Sequence, residues 1–381
     1  MRQPLTGGRR RPEPGRGPTV AIIGTRGYPS FYGGFETLVR HLVPFLAERG
    51  WNVDVYNRDP IPVDSVVPDR VTVLHTAGTD SKRLSTLTHG LTSSLHAAFR
   101  RRPDVALVCN PANGLWLPAL RLRHVPTAVN VDGIEWERQK WGPTARRVFR
   151  LGARCCAAFG DRLVFDADAI AQRWLSMFGV TGTVIPYGGT IERPPLPADV
   201  DLPDGRYVLY VARFVPENSV LEFLEAARRL AADYRIVVVG SSGHGGPVEE
   251  AVRALAEEDG RVTWLGHVRD DTLLHALWSH AGVYFHGHTV GGTNPALVQA
   301  MACGAPTVAR DTVFNREVLG SAGVFTTGDP GGIATAIREL MEDQERREAI
   351  SAAGLRRIEE RYTWPLVCDS YERLLRSLAR T

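Results

Sequence analysis

The sequence has no apolar run that approaches the ~20 residues of a membrane-spanning helix, although 44% of its 381 residues are hydrophobic. Its first eighteen residues are rich in Arg, Pro and Gly and lack the apolar core of a secretory signal. We therefore expect a cytoplasmic protein in which residues 1–18 form a disordered tail.

Cysteine is scarce, and its positions form neither a Cys-x-x-Cys pair nor a Cys/His spacing typical of a metal site. We expect the five cysteines to be reduced and mostly buried, as is usual in the cytoplasm. The dinucleotide fingerprint Gly-x-Gly-x-x-Gly is also missing, because the first glycine-rich turn has only Gly24 and Gly27 three positions apart. This spacing disfavours an NAD(P)-dependent dehydrogenase.

The net charge of +3 conceals an uneven distribution. Residues 1–190 carry 25 Lys and Arg against 15 Asp and Glu, a balance of +10, and the remainder carries 20 against 27, a balance of −7. One interpretation is a set of solvated helix faces. The other is a surface that meets an anionic membrane or a polyprenyl-diphosphate acceptor. We expect no nucleic-acid partner, because the basic residues are not interleaved with aromatic side chains.

Short β-branched runs alternate with amphipathic stretches, which predicts parallel sheets covered by helices in two domains. The best boundary lies near Tyr187–Asp204. We predict a first domain over residues 19–190, a linker over 191–204, a second domain over 205–362 and a helix over 363–381 that packs back on the first domain. The predicted strands are Thr19–Ile23, Asn52–Tyr56, Val105–Cys109, Thr127–Asn130, Arg162–Phe165, Thr183–Ile185, Tyr207–Val211, Arg235–Val239, Val262–Leu265, Gly282–Phe285 and Pro306–Ala309.

In the first half, two loops after predicted strands carry candidate site residues. The glycines of Gly33-Gly34 precede a helix, where free backbone N–H groups suit an anion, although simple turn geometry is the alternative. The loop Asn130–Trp141 concentrates carboxylates, cations and tryptophans, and its Asp132 is suited to orient a sugar hydroxyl or to receive a proton. The alternative for this loop is a surface segment with internal salt bridges.

In the second half, Arg213 follows a strand and is suited to bind a diphosphate, unless it forms an ordinary surface salt bridge. The strongest local signal is His286–Pro295, where Gly291-Gly292-Thr293-Asn294 leads into a helix with Pro295 at its first position. Asn294 is alternatively a plain N-cap. No carboxylate accompanies the two histidines of this segment at ligand spacing, so we expect no metal.

Taken together and in this order, these loops resemble the family 4 retaining glycosyltransferases, and most of all a subgroup of bacterial rhamnosyltransferases of surface-polysaccharide assembly. The likeness extends from Thr19 to about Tyr371. The stretches that carry it are Gly24–Gly27, Tyr32–Glu36, Asn130–Trp141, Ala212–Asn218 and His286–Pro306.

The resemblance implies an α/β protein of the GT-B fold, with two Rossmann-like doubly wound parallel-sheet domains facing each other across a cleft. It also implies a nucleotide-sugar donor held by the second domain, retention of configuration, no cofactor or metal, and a saccharide or lipid-linked saccharide as acceptor. The donor expected from the subgroup is dTDP-rhamnose or a related deoxysugar nucleotide. By this likeness Asp132 and Arg213 are catalytic, and the donor contacts Gly33, Gly34, Gly292, Thr293 and Asn294. We also expect Asn218, His288 and Gln299 to bind the donor, and Glu135 and Arg138 to serve the acceptor or another role in the site.

Three positions depart from the family pattern. The family pairs two glutamates eight positions apart, where this chain has Gly291 and Gln299, and its usual diphosphate lysine is Asn218 here. An amide can still bind a ribose hydroxyl. These departures leave two alternatives open: a catalytically degenerate nucleotide-sugar-binding protein, and a nucleotide-sugar 2-epimerase on the same fold.

Overall fold

The structure, a computed structural model, describes residues 17–30, 33–58, 66–79, 85–138, 141–198, 200–243 and 245–379. Of the predicted disordered tail, residues 1–16 lie outside the described part. The remaining chain forms two parallel β-sheets, each covered by helices on both faces.

Within the described residues, the first sheet has seven strands in the order β3-β2-β1-β4-β5-β6-β7. They are β1 (Thr19–Ile23), β2 (Asn52–Asn57), β3 (Val71–His75), β4 (Val105–Cys109), β5 (Thr127–Asn130), β6 (Arg162–Phe165) and β7 (Thr183–Val184). The central strand β4 is buried at every position. Apolar side chains on both faces of a strand are typical of a parallel sheet between two helical layers.

The second sheet has six strands in the described part of the chain, in the order β10-β9-β8-β11-β12-β13. They are β8 (Tyr207–Val211), β9 (Arg235–Val239), β10 (Val262–Trp264), β11 (Val283–His286), β12 (Thr307–Arg310) and β13 (Val324–Thr326). In both sheets the chain reverses its direction of strand addition next to the first strand, between β1 and β4 and between β8 and β11. Ligands of open α/β sheets bind at such switch points, beyond the carboxyl ends of the strands.

The helices are α1 (Gly34–Glu48), α2 (Ser85–His96), α3 (Leu117–Leu122), α4 (Pro143–Phe159), α5 (Asp168–Phe178), α6 (Val220–Leu230), α7 (Pro247–Glu258), α8 (Asp271–Ser279), α9 (Pro295–Ala302), α10 (Val313–Leu319), α11 (Pro330–Glu342), α12 (Gln344–Arg361) and α13 (Trp364–Ala379). A π-helical turn, Ala97–Arg101, continues α2. Most of these helices bury an apolar stripe against a sheet, and α12 packs on α9 and α11 instead. Burial of such a stripe is the main favourable term in forming a helix.

Helix α13 lies against the first sheet, although it follows the second domain in the chain. Its Tyr371 is fully buried, and its hydroxyl accepts a hydrogen bond of 2.6 Å from the amide of Asn130 on β5. Its Glu372 pairs with Arg49 at 2.7 Å. The chain therefore passes between the domains twice, once before β8 and once before α13.

The two domains also contact each other directly. In α10, the Glu317 carboxylate accepts hydrogen bonds from the backbone N–H groups of Asp168 and Ala169 at the start of α5, at 2.6 and 2.9 Å. The Thr293 hydroxyl donates to the backbone carbonyl of Asp166. These contacts close the cleft between the two sheets on one side.

Most predicted strands agree with the structure to within one residue, but two strands were not predicted. Strand β3 lies at the edge of its sheet and is partly exposed, and β13 has only three residues, so neither has a long apolar run. Strand β12 begins at Thr307 rather than Pro306, whose ring nitrogen cannot donate to a neighbouring strand.

Candidate functional site

A cavity of about 180 Å³ lies between the carboxyl ends of the two sheets. The second domain contributes Arg213, Val215, Glu217, Asn218, His288, Val290, Gly291, Gly292, Thr293, Asn294 and Pro295 to its wall, and the first domain contributes Gly34, Phe35, Glu36, Asp132, Arg138, Asp166 and Tyr187. Most of the residues predicted from the sequence therefore meet in one place. Gly33, Glu135 and Gln299 do not line it.

Arg213 follows β8 and extends into the cavity with an exposed side chain. Its guanidinium has no hydrogen bond or ion pair within the part of the chain that the structure describes. The surface salt bridge considered from the sequence is thus not formed. An unpaired guanidinium in a cleft is suited to bind an anion in bidentate fashion.

The first turn of α9 faces the cavity. Asn294 is its N-cap, with the side-chain oxygen accepting from the Ala296 N–H at 3.0 Å, and Pro295 occupies the first position. Asn294 is therefore an N-cap and a cavity residue at once. The preceding glycines, Gly291 and Gly292, line the cavity beside the positive end of the helix dipole, where backbone N–H groups suit an anion.

His288 lines the cavity and stacks on His286, with ring centroids 4.3 Å apart. Burial, together with the nearby Arg213 and Arg138, lowers the pKa of His288 to about 3. Its Nδ1 has no partner within the described residues. A neutral imidazole in this position can exchange a hydrogen bond with a ligand hydroxyl but adds no positive charge at neutral pH.

Asp132 and Arg138 face the cavity from the first domain. Arg138 binds Glu135 through Nε at 2.7 Å and lies 3.9 Å from the Asp132 carboxylate. Glu135 also accepts from the indole of Trp141 at 2.8 Å, so it positions Arg138 rather than touching the cavity itself. Asp132 has a left-handed backbone, φ 54°, and its N–H donates to the Asn130 side chain. This turn directs Asp132 away from the strand and toward the cleft.

Gly33 and Gly34 begin α1 below the cavity. Gly33 has a φ of 118°, and a Cβ there would lie 2.6 Å from Glu36 Oε2. Glu36 is buried, and its Oε1 accepts from the Arg26 N–H at 2.9 Å. Burial raises the pKa of Glu36. The glycines thus shape the turn that brings Glu36 to the cavity, and only Gly34 lines it.

Asn218 is buried, and its amide donates to the backbone carbonyl of Arg213 at 2.8 Å. This contact closes the loop after β8. Asn218 therefore fixes the backbone that carries Arg213 while its side chain remains in the cavity wall.

Asp166 and Tyr187 were not singled out in the sequence, although both line the cavity. Asp166 directly follows β6 and is only 2% exposed, and its Oδ1 has no partner in the described structure. The signal that could have found it is the one that indicated Asp132, a carboxylate at the carboxyl end of a strand. It was missed because no glycine or aromatic cluster marks the segment.

Gln299 lies elsewhere than the sequence suggested. Its Oε1 accepts from the backbone N–H of Thr190 at 3.0 Å, and its Nε2 donates to the backbone carbonyl of Thr190 at 2.8 Å. Both polar atoms of the amide are thus used to hold the segment between the domains. The expectation that it binds a ribose finds no support in this placement.

The described residues contain no group of three or more His, Cys, Asp or Glu side chains that could hold a metal ion. Among those same residues, no helix is long and apolar enough to cross a bilayer. The described cysteines are all free thiols.

Two family models match the chain in succession. The model described as Glycosyltransferase Family 4 matches residues 32–193, and the model described as Glycosyl transferases group 1 matches residues 195–357. The chain belongs to glycosyltransferase family 4. The boundary between the two models falls in the segment where we predicted the linker.

Curated relatives match over part of their length. O-antigen chain mannosyltransferase B of Escherichia coli is 28% identical over 42% of each chain. Phosphatidyl-myo-inositol mannosyltransferase of Mycobacterium leprae is 29% identical over 55% of this chain and 58% of the relative. The match thus covers about half the length of these relatives.

Solved structures match over nearly the whole chain. Sucrose-phosphate synthase from Thermosynechococcus elongatus superposes with a TM-score of 0.80 at 20% identity, covering 95% of this chain and 99% of that one. HepE from Anabaena, solved with UDP, gives 0.73 at 17% identity, covering 94% and 100%. The GT-B fold expected from the sequence is confirmed.

The contacts of Gln299 predict the effect of Gln299→Glu. A carboxylate cannot donate to the Thr190 carbonyl and would place two acceptor oxygens side by side. We expect the free energy of unfolding to fall by about 1–3 kcal/mol, measured by urea titration at pH 7.5. The control is Gln172→Glu, the same change at an exposed position of α5. Unchanged stability with tighter nucleotide-sugar binding would instead place Gln299 at the ribose.

Proposed function

We propose that this protein transfers a glycosyl group from a nucleoside-diphosphate sugar to a saccharide or lipid-linked saccharide. The observation that carries the proposal is the composition of the interdomain cavity. The second domain presents Arg213, which is unpaired among the described residues, and the N-terminus of α9. The first domain presents the carboxyl groups of Asp132, Asp166 and Glu36. The groups of the second domain suit a diphosphate, and the carboxyl groups of the first domain suit sugar hydroxyls.

The proposed reaction proceeds with retention and without a metal. The sugar–phosphate bond breaks as the acceptor hydroxyl approaches the same face of the sugar, and the departing phosphate oxygen accepts the hydroxyl proton. Arg213 and the backbone N–H groups before α9 stabilise the charge that develops on the diphosphate. Asp132 orients a sugar hydroxyl near the reacting carbon. Closure of the domains excludes water and limits hydrolysis of the donor.

Two donor sugars are favoured by different observations. The motifs resemble those of rhamnosyltransferases, which favours dTDP-rhamnose. The relatives from Escherichia coli and Mycobacterium leprae are both named as mannosyltransferases, which favours GDP-mannose. We therefore propose that the donor is a nucleoside-diphosphate deoxyhexose or hexose, such as dTDP-rhamnose or GDP-mannose.

A donor screen tests the proposal. A ligand that binds only the folded state raises the melting temperature according to its affinity and concentration. We expect one of dTDP-rhamnose, GDP-mannose, UDP-glucose and UDP-GlcNAc to stabilise the protein, with NADH as the negative control. A cooperative melt that none of the nucleotide sugars shifts would contradict the proposal. Stabilisation together with donor epimerisation and no transfer to any acceptor would favour the epimerase alternative.

Arg213→Ala tests whether Arg213 stabilises the leaving diphosphate. If the guanidinium stabilises the departing diphosphate, we expect kcat/KM to fall by about 10²-fold or more. The matched control is Arg206→Ala, since Arg206 is also exposed but lies at the opposite end of β8. Steady-state kinetics with the donor found in the screen measures both. An equal, small effect of the two substitutions would remove Arg213 from the mechanism.

We also propose that the first domain meets an anionic membrane surface. Helices α2, α3 and α4 and the π-helical turn contain no Asp or Glu. They expose arginines beside apolar side chains that are 41–69% exposed, namely Leu95, Phe99, Leu122 and Leu151. The α2–α3 and α3–α4 pairs are in contact, so the helices that carry these side chains are neighbours. Such a surface suits anionic head groups and shallow apolar insertion.

Vesicle sedimentation tests the proposed contact with an anionic membrane surface. Replacing Arg147, Arg150 and Arg154 of α4 by Gln should weaken binding to anionic vesicles by roughly 100-fold, because each arginine near the surface contributes about 1 kcal/mol. The control replaces Arg346, Arg356 and Arg361 of α12, which are exposed and carry equal charge. Binding to purely zwitterionic vesicles that equals binding to anionic ones would contradict the proposal.

A further inference from the structure

We infer that Asp166 binds a hydroxyl group of the transferred sugar and helps to select that sugar. This inference rests on the proposed function, because it assumes that a nucleoside-diphosphate sugar occupies the interdomain cavity. It concerns a residue of the first domain that touches the donor-side loop of the second.

The position of Asp166 is the first step. It follows β6 directly and is 2% exposed, yet it forms part of the cavity wall. Its Oδ1 has no hydrogen-bond partner within the described residues. Buried polar atoms are nearly always paired, so an unpaired one in a cavity wall indicates a contact supplied by a ligand or by water.

The neighbours of Asp166 indicate which part of a donor would reach it. A Cβ added at Gly292 would overlap the Asp166 carboxyl group, so the loop before α9 passes directly over it. The Thr293 hydroxyl also donates to the Asp166 backbone carbonyl. The sugar is attached to the diphosphate, so a diphosphate bound beside this loop would place the sugar within reach of Asp166.

The charge around Asp166 disfavours the phosphates as its partner whenever the carboxyl group is ionised. Burial raises the pKa of Asp166 well above its ordinary value, and the nearby Asp132 and Glu317 carboxylates raise it further, while Arg138 opposes the shift. Tyr187 also faces this corner of the cavity. A carboxyl group in such surroundings repels a phosphate when it is ionised. When protonated, it both donates to and accepts from a sugar hydroxyl.

This arrangement is unfavourable for stability, which itself favours a functional role. A buried carboxyl group with one unpaired oxygen costs free energy on folding. An asparagine would fit the same space without an ionisable group. Residues that reduce stability in a cavity wall are typical of binding sites.

The experiment measures binding of the nucleoside diphosphate and of the nucleotide sugar found in the donor screen. For Asp166→Ala we expect the Kd of the nucleotide sugar to rise about tenfold relative to that of the diphosphate alone, the loss of roughly one hydrogen bond. Asp166→Asn should stay within about threefold of the native ratio, because an amide also donates and accepts. The control is Asp168→Ala, an exposed carboxylate two residues away that does not line the cavity.

The pH dependence of the melting temperature supplies a second, independent measurement on Asp166. The raised pKa of Asp166 means that the folded state loses stability as the pH rises above the ordinary carboxyl value of about 4. We therefore expect Asp166→Asn to melt at a higher temperature than the native protein at pH 8, with a difference that shrinks toward pH 4. A carboxylate held ionised by an ion pair, whose pKa is lowered on folding, would give the opposite sign.

Three results would overturn the inference. The first is that Asp166→Ala changes neither of the two dissociation constants. The second is an equal loss of diphosphate and nucleotide-sugar binding, which would indicate a role in the shape of the loop. The third is a loss of the same size in Asp168→Ala. Absence of any nucleotide-sugar binding by the native protein would instead reject the proposed function.

Discussion

The candidate site depends on a direct contact between the two domains at the carboxyl ends of their strands. Helix α5 begins after Ala167, which has no side-chain acceptor for the first free N–H groups. Glu317 of the second domain accepts from two of them instead, and Thr293 binds the carbonyl of Asp166 close by. Because these contacts join groups of different domains, they form only when the domains meet. Closure therefore completes the cavity wall and caps α5 at the same time.

The closed cavity has two chemically different sides, and this difference gives a ligand one orientation. Arg213 and the start of α9 favour negative charge, whereas Asp132 and Asp166 disfavour it. A molecule of uniform charge would leave one side unmatched. A nucleoside-diphosphate sugar matches both, because its phosphates are anionic and its sugar is neutral but rich in hydroxyl groups. Arg138 lies within 3.9 Å of Asp132, so the charge of that carboxylate is partly balanced where the two sides meet.

The sequence allowed the fold and most of the cavity to be predicted, because both depend on local patterns. Buried parallel strands such as β4 appear as apolar runs, and the loops that follow them carry the site. The cap on α5 could not be predicted, because Glu317 and Asp168 are 149 positions apart and neither has an unusual neighbourhood. Asp166 was missed for a related reason: its significance comes from burial beneath Gly292, which no pattern near β6 reveals.

Gln299 shows why a family position does not by itself define a role. Thr190 offers one backbone donor and one backbone acceptor, and only an amide side chain can satisfy both at once. A glutamate, which the family usually has here, could satisfy only the donor. Thr190 lies between β7 and the second domain, so this pair fixes α9 to the chain segment that joins the domains. Since α9 also carries the N-terminus that faces the cavity, the amide couples the position of that N-terminus to the linker. The linker contact therefore gives the amide at this position a structural role of its own.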